Sequence, residues 1–414
     1  MDIAALFRGP AVIIDDDVET EGASIRDLID QLELHFIPCA KYSRLPDAAT
    51  MDHFGGISFL LLDWRLIEDL TLKKAVEEGV AVPAGLEKEM AESNIAFLTK
   101  LKECCFVPVF IFTDGDPEAI KTKLAAAGLY DTTKPNFILV KSKADLIKER
   151  MFEEIQLWLK SSASVYVLKE WERQYESAKN RLFIDFFNLS HSWPAILWEN
   201  SKSDGANESQ ELGEVISRNL HSRMLPFSFE AEILAGQTVT TKEEVRQVLE
   251  GERFISKENL TADVIGTGDL FYLRSQEYLL NIRPQCDLLR SASIDDVLLY
   301  CLKGTPFKEN KINKSENYVL RKGQFRERAD HAIVPFVHDG KLMEFLFKDL
   351  LLKTWGELKA KRIGRLLPPY ITHIQQRYAL YLQRAGLPRI PESALSVPSD
   401  KAEASRMETK ELSA

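Results

Sequence analysis

The N-terminal part of the sequence predicts an α/β domain with a doubly wound parallel sheet. Two observations support this prediction. Four short apolar runs, beginning at Ala11, Ile57, Val107 and Asn136, alternate with stretches of helical character. Continuous apolar runs of this length are typical of strands buried on both faces. Each run also ends in a polar side chain, at the edge where open α/β sheets place their chemistry.

The polar ends of the four runs form an ordered set. The first run breaks into Asp15 and Asp16, the second ends at Asp63, the third at Thr113 and the fourth at Lys141. If the strands are parallel neighbours, these side chains converge on one edge. Clustered carboxylates repel each other, and a hard divalent cation removes that cost. A carboxylate can also act as a nucleophile that carries an acyl phosphate. A domain whose strand ends are polar by coincidence is the other interpretation.

The ordered set resembles the receiver domain of bacterial response regulators, over about residues 8–162. The resemblance implies a five-stranded sheet, Mg²⁺ as cofactor and a histidine kinase as phosphoryl donor. It implies that Asp63 is the phosphoacceptor and that Thr113 and Lys141 contact the incoming phosphoryl oxygens. The protein ligands of the metal ion would be Asp63, Asp16, Asp15 acting largely through water, and the backbone carbonyl of Arg65.

The sequence departs from the receiver pattern at three places. Receivers usually have a proline after the strand-end lysine, whereas Ser142 follows Lys141. Ile138 stands where many receivers have an aromatic switch residue. The charged stretch 68–92 lengthens the chain between Asp63 and the third run, and it predicts an inserted helical hairpin beside the active edge.

Composition limits the class of protein. A chain of 414 residues is expected to form two or three domains. No apolar run reaches membrane-spanning length, and the five cysteines have no regular spacing, so we expect a cytoplasmic protein without a membrane segment, disulfide framework or zinc site. The net charge of −10 disfavours nonspecific nucleic-acid binding by the whole chain.

The remaining sequence predicts three further regions. Residues 165–262 would form a helical connecting region, 263–391 an α+β output region, and 392–414 a disordered tail. The first of these opens with an amphipathic helix over 165–188, either a dimerising rod or the first helix of the next domain. In the output region, alternating short strands predict a small β-barrel or curled sheet. Asp339-Gly340 predicts a hairpin turn.

Two features of the output region invite functional interpretations. Cys286 follows Arg283 closely and could be an activated nucleophile, although a buried turn residue explains the pattern as well. The segment 353–389 carries a net charge of +7, from eight basic residues and one acidic residue. It could bind nucleic-acid phosphates, but its apolar residues at helical spacing favour a structural or protein-contacting edge.

These observations lead to a first hypothesis and two alternatives. We expect a response-regulator-like protein that signals by contacts with a protein effector or a second copy, and that has no enzymatic activity beyond its own phosphorylation and dephosphorylation. The first alternative is a phosphate-buffering receiver, since the overall layout resembles the regulatory partner of Detocs-type anti-phage two-component systems in antiviral defence. The second is a phosphorylation-gated effector enzyme or nucleic-acid binder.

Overall fold

The computed structural model describes residues 6–67, 69–146, 150–235, 241–260, 264–288, 294–326 and 328–385, together with Pro391 and Ala394. The chain divides into two compact units. The N-terminal unit comprises Met1–Asp204 and Glu208–Val239, and the C-terminal unit comprises Gly205–Asn207 and Thr240–Ala414. The predicted connecting region 165–262 is therefore shared between the two units. Apart from Ala394, the predicted tail 392–414 lies outside the described residues.

The N-terminal unit is built on a five-stranded parallel sheet, which confirms the predicted sheet. The strand order is β2-β1-β3-β4-β5, the flavodoxin-like order of doubly wound domains. The strands are β1 (Ala11–Ile14), β2 (Cys39–Tyr42), β3 (Leu60–Leu62), β4 (Val109–Thr113) and β5 (Ile138–Ser142).

Helices cover both faces of this sheet, which explains the uninterrupted apolar runs. Along β4, alternate residues enter different hydrophobic clusters: Phe110 and Phe112 belong to one, Val109 and Ile111 to the other. The helices are α1 (Ser24–Leu34), α2 (Ala48–Met51), α3 (Leu70–Glu77), α4 (Ala84–Cys104), α5 (Pro117–Ala126), α6 (Lys143–Leu146) and α7 (Arg150–Ser161). The insertion predicted at 68–92 contains α3 and the first residues of α4. The rest of α4 is the helix that precedes β4.

The N-terminal unit continues into a helical extension. It comprises α8 (Ala163–Leu189), α9 (Trp193–Ser203), α10 (Glu208–Met224) and α11 (Ala231–Ala235). The predicted long helix at 165–188 matches α8. Val165 and Tyr166, at its start, lie in the same hydrophobic cluster as Leu159 of α7 and Ile233 of α11. The extension therefore begins and ends within the core of the N-terminal unit.

The C-terminal unit is a curled, half-barrel-like antiparallel sheet, which agrees with the predicted curled sheet. Its order is β12-β13-β9-β8-β7-β14-β6. The strands are β6 (Phe254–Ser256), β7 (Asp269–Tyr272), β8 (Tyr278–Asn281), β9 (Leu298–Phe307), β12 (His331–Val337), β13 (Lys341–Thr354) and β14 (Arg362–Leu366). A separate two-stranded sheet pairs β10 (Leu320–Arg321) with β11 (Gln324–Phe325), and the helices are α12 (Lys242–Arg253), α13 (Gln285–Leu288), α14 (Trp355–Leu358) and α15 (Tyr370–Gln383).

The predicted hairpin at Asp339-Gly340 joins β12 to β13. Both residues have positive φ, 60° and 65°, as a tight hairpin turn requires. The Glu250 carboxylate accepts hydrogen bonds from both backbone amides of this turn. Within the described residues, no helix combines the length and the apolar character that crossing a bilayer requires.

Candidate functional site

The predicted site lies at the carboxyl edge of the parallel sheet. Asp15 directly follows β1, Asp63 directly follows β3, and Thr113 is the last residue of β4. All three side chains are buried, and Asp63 is only 5% exposed. The Asp63 backbone amide donates to the carbonyl of Ile14 at 2.8 Å, which ties the two strand ends together. The backbone thus brings the two acids to neighbouring positions.

A buried amine joins these two acids. Lys143 Nζ lies 2.9 Å from Asp15 Oδ2 and 2.8 Å from Asp63 Oδ2. Burial alone would lower the pKa of Lys143, but the adjacent carboxylates outweigh burial and raise that pKa. Lys143 is therefore a charged amine aimed at the predicted phosphoacceptor.

The structure corrects the position of this amine, which the sequence placed at Lys141. Lys141 Nζ instead lies 2.7 Å from a carboxylate oxygen of Glu154, on α7. Residues two apart on a strand share a face, and Leu139 packs in the cluster that contains Ile155 of α7. Alternation therefore directs Lys141 towards α7, whereas Lys143 follows the end of the strand and reaches the acids.

With Lys143 as the amine beside the acids, other residues occupy the positions expected for the proline and the aromatic switch residue. Ala144 follows the amine, so a proline is still missing. Three residues before the amine is Val140, a buried aliphatic side chain, instead of Ile138. The aromatic switch residue is absent at both positions.

An acid cluster lies beside Asp63. Asp15, Asp16 and Asp17 each offer a carboxylate oxygen, and these atoms all lie within 4.8 Å of one another. Oxygen donors at this spacing suit a hard divalent cation, so the cluster could hold a metal ion such as Mg²⁺. Burial raises the pKa of Asp16, although a hydrogen bond from Lys73 opposes that shift. Asp17 was not among the predicted ligands, although the run of three aspartates signals it. The sequence gives no signal for Lys73.

Two further predicted residues are held at the same edge. The Arg65 backbone amide donates to Asp63 Oδ1 at 3.2 Å, which places residue 65 beside Asp63. Its carbonyl as a metal ligand stays a prediction. The Thr113 hydroxyl accepts from the Gly115 amide at 3.0 Å. A Cβ built on Gly115 would lie 3.3 Å from that hydroxyl, so a larger residue would crowd it.

The charge state of Asp63 predicts a pH dependence of stability. Burial raises its pKa to about 7, the Lys143 ammonium opposes this, and Asp15 adds to it. An acid whose pKa is higher in the folded state favours folding only while protonated, so its contribution falls as pH rises from about 4 to about 7. In EDTA, Asp63→Asn should be more stable than wild type above pH 7 by on the order of 1–3 kcal/mol.

Denaturant unfolding of both proteins between pH 5 and 8 checks this expectation. The difference in free energy of unfolding should shrink as pH falls, because protonated aspartate resembles asparagine. Lys143 stays charged throughout this range and therefore contributes no pH dependence. A difference that is constant with pH would contradict the raised pKa.

The two candidates in the C-terminal unit receive no support as sites. Cys286 is exposed on the one-turn helix α13, and its thiol contacts the neighbouring Asp287 at 3.7 Å. Arg283 turns away from it and donates to the carbonyl of Leu298. The arginine on which the nucleophile interpretation depends is thus engaged elsewhere, so these contacts do not support that interpretation.

The basic segment 353–389 is divided among β13, α14, β14 and α15. Most of its charged groups have partners within the chain. Arg362 and Arg365 pair with the buried Asp269, and Arg377 donates to the carbonyls of Arg328 and His331. Lys353 pairs with Glu357, and Lys359 with Asp295. These pairings favour the structural interpretation of the segment over an anion-binding surface.

No protein-family model matches this sequence, and no curated protein matches it either.

Proposed function

We propose that the N-terminal unit is a receiver domain that accepts a phosphoryl group on Asp63 from a histidine kinase, with Mg²⁺ as cofactor. The observation that carries this proposal is the buried carboxylate of Asp63 at a parallel-sheet edge, 2.8 Å from the Lys143 amine and beside an acid cluster. A histidine kinase acts on receivers in the cytoplasm, and the proposal therefore places this protein there.

The chemistry follows from the contacts of the two Asp63 oxygens. Oδ1 accepts a hydrogen bond from the Arg65 backbone amide, and Oδ2 accepts one from the Lys143 ammonium. One Asp63 oxygen attacks phosphorus, the phosphorus–nitrogen bond of the phosphohistidine breaks, and the imidazole leaves as an acyl phosphate forms. Lys143 transfers its hydrogen bond from the carboxylate to a phosphoryl oxygen, and Thr113 offers its hydroxyl to another.

The acid cluster supplies the remaining part of the site. Asp15, Asp16 and Asp63, with the Arg65 carbonyl, would hold Mg²⁺, and Asp17 adds a further carboxylate. Bound Mg²⁺ neutralises charge on the transferring phosphoryl group. The protein needs no other catalytic machinery, so we assign it no enzymatic activity beyond its own phosphorylation and dephosphorylation.

The proposed output is a change in protein contacts. Phosphorylation adds charge at Asp63 and biases the packing around the sheet edge. With Val140 in place of an aromatic switch residue, the signal would pass through other elements. The C-terminal unit would then act on an effector protein or a second copy of the chain.

The test is phosphorylation of the full chain by acetyl phosphate in the presence of Mg²⁺, followed by intact-mass measurement. We expect the mass of one phosphoryl group to appear on wild type and to be absent from Asp63→Asn and from EDTA-treated protein. Asp30→Asn, an exposed acid on α1, is the matched control and should be labelled like wild type. No label on wild type, or equal label on Asp63→Asn, would rule out the proposal.

A second candidate function is phosphate buffering, as in the Detocs-type anti-phage systems that the overall layout resembles. The residues that favour it are Val140 and Ala144, which replace the signalling aromatic and the proline of typical receivers. Hydrogen exchange of the full chain with and without phosphorylation separates the two functions. A signalling protein should show altered exchange in the C-terminal unit, whereas a buffer should show changes near Asp63 alone.

A further inference from the structure

We propose that Lys73 is an internal counter-ion of the acid cluster, and that a divalent cation must displace it from Asp16 and Asp17 in order to bind. The inserted helix α3 would then regulate the phosphorylation site by competing with the metal ion. This proposal rests on the proposed function, because it concerns the cation that the phosphorylation reaction uses.

The geometry of Lys73 is that of a bound cation. Its Nζ lies 2.7 Å from Asp16 Oδ2 and 2.7 Å from Asp17 Oδ1. The Lys73 side chain is 13% exposed and that of Asp16 is 10% exposed. Lys143 bridges Asp15 and Asp63 and lies 3.8 Å from Asp114, so Lys73 and Lys143 together contact five carboxylates.

The charges make this contact more than a surface ion pair. Lys73 and Asp16 are both largely shielded from solvent, so their contact is screened less than that of an exposed pair. The Lys73 ammonium occupies carboxylate oxygens that a metal ion needs. A dication offers two charges where the ammonium offers one, so the exchange is possible once α3 withdraws.

The helix that carries Lys73 is suited to withdrawal. None of the described side chains of α3 is buried, and the helix begins at an exposed cap, Asp69, whose carboxylate accepts the amides of Thr71 and Leu72. Leu72 lies at a cleft between α3 and α4 with a volume of about 410 Å³, lined also by Leu45, Leu66, Ile67, Leu86 and Met90. A helix with so little buried surface opens at low free-energy cost.

The experiment compares Mg²⁺ affinity in three full-length proteins by isothermal titration calorimetry. Lys73→Met should bind Mg²⁺ roughly tenfold or more tightly than wild type, since it removes a competing charge from the ligand oxygens. The matched control is Lys74→Met, which makes the same change at the next, exposed position of α3 and should bind like wild type. Equal affinity of Lys73→Met and wild type would overturn the proposal.

A second measurement needs no variant, and it keeps the proposal testable if Lys73→Met folds poorly. Saturating Mg²⁺ should increase hydrogen exchange of residues 70–77 in wild type, because α3 loses its anchor. Unchanged or slower exchange in α3 on saturation would overturn the proposal.

Acetyl phosphate labelling distinguishes failure of this inference from failure of the proposed function. If Asp63 is labelled but Lys73→Met and wild type bind Mg²⁺ with the same affinity, only the proposed role of Lys73 is wrong. If none of the three proteins binds Mg²⁺ and wild type is not labelled, both proposals are wrong.

Discussion

Replacing Lys143 with methionine is expected to slow phosphorylation of Asp63 by acetyl phosphate roughly 100-fold or more, the usual effect of removing one charge-stabilising donor. Lys143 is the amine within hydrogen-bond distance of the Asp63 carboxylate. During phosphorylation it would donate its hydrogen bond to an oxygen of the incoming phosphoryl group instead. Lys141→Met should keep a rate within about twofold of wild type, because Lys141 contacts Glu154 on α7 and its loss leaves the charge-stabilising donor in place. The measurement is the rate of mass gain at saturating Mg²⁺.

The two variants control for each other, since each removes one lysine charge within three residues of chain. Their thermal melts in Mg²⁺ should be recorded alongside, because Lys143 also offsets the repulsion between Asp15 and Asp63. If Lys143→Met is folded, binds Mg²⁺ and is phosphorylated at the wild-type rate, the Lys143 amine has a structural role and does not stabilise the transferring phosphoryl group. A larger loss of phosphorylation rate in Lys141→Met than in Lys143→Met would show that Lys141 is the charge-stabilising donor, as the sequence predicts.

Replacing Asp269 with alanine is expected to destabilise the C-terminal unit by about 3–5 kcal/mol, the range found when one partner of a buried ion pair is removed. Asp269 is fully buried, accepts the Gly266 amide at 2.8 Å, and contacts Arg365 Nε at 2.8 Å. Arg362 Nη1 lies 3.8 Å from the same carboxylate, and its side chain is 1% exposed. Alanine would leave two guanidinium groups without their shared counter-ion.

Urea unfolding, followed by fluorescence, measures this loss. Asp295→Ala is the matched control, because Asp295 pairs with Lys359 at 2.9 Å but is 54% exposed. Exposed pairs contribute about 0–1 kcal/mol, so that variant should unfold close to wild type. Equal destabilisation by the two substitutions would show that burial of the Asp269 pair adds nothing.

The sequence predicts the parallel sheet and its acidic edge because both depend on local patterns. A strand buried on two faces needs an apolar run, and the residue that ends the run must lie near the edge. Asp15, Asp63 and Thr113 could be placed in this way. Lys141 could not, because the apolar run shows where burial ends but not where the chain leaves the sheet. The two-residue difference between Lys141 and Lys143 decides which amine reaches the acids.

The other unpredicted features depend on partners that are distant in sequence. In the sequence, Lys73 looks like an ordinary solvent-exposed lysine on a charged helix. Its partners, Asp16 and Asp17, lie nearly sixty residues earlier in the chain. The sequence does not predict strand β14, because its arginines, Arg362 and Arg365, are typical of an exposed basic segment. Their shared partner, Asp269, is distant in sequence. Charge that is neutralised across such separations leaves no periodic signal.

The return of the chain at α11 has a practical consequence for dissection of this protein. A fragment that stops at residue 162 would lack Val165, Tyr166 and Ile233, which close the hydrophobic cluster beneath α7. Such a fragment would expose an apolar gap and is expected to aggregate. A fragment that ends at Ala235 would retain these side chains, together with the hydrogen bond from the Glu230 amide to the Tyr166 hydroxyl. The smallest fragment expected to fold around Asp63 is therefore larger than a minimal doubly wound domain.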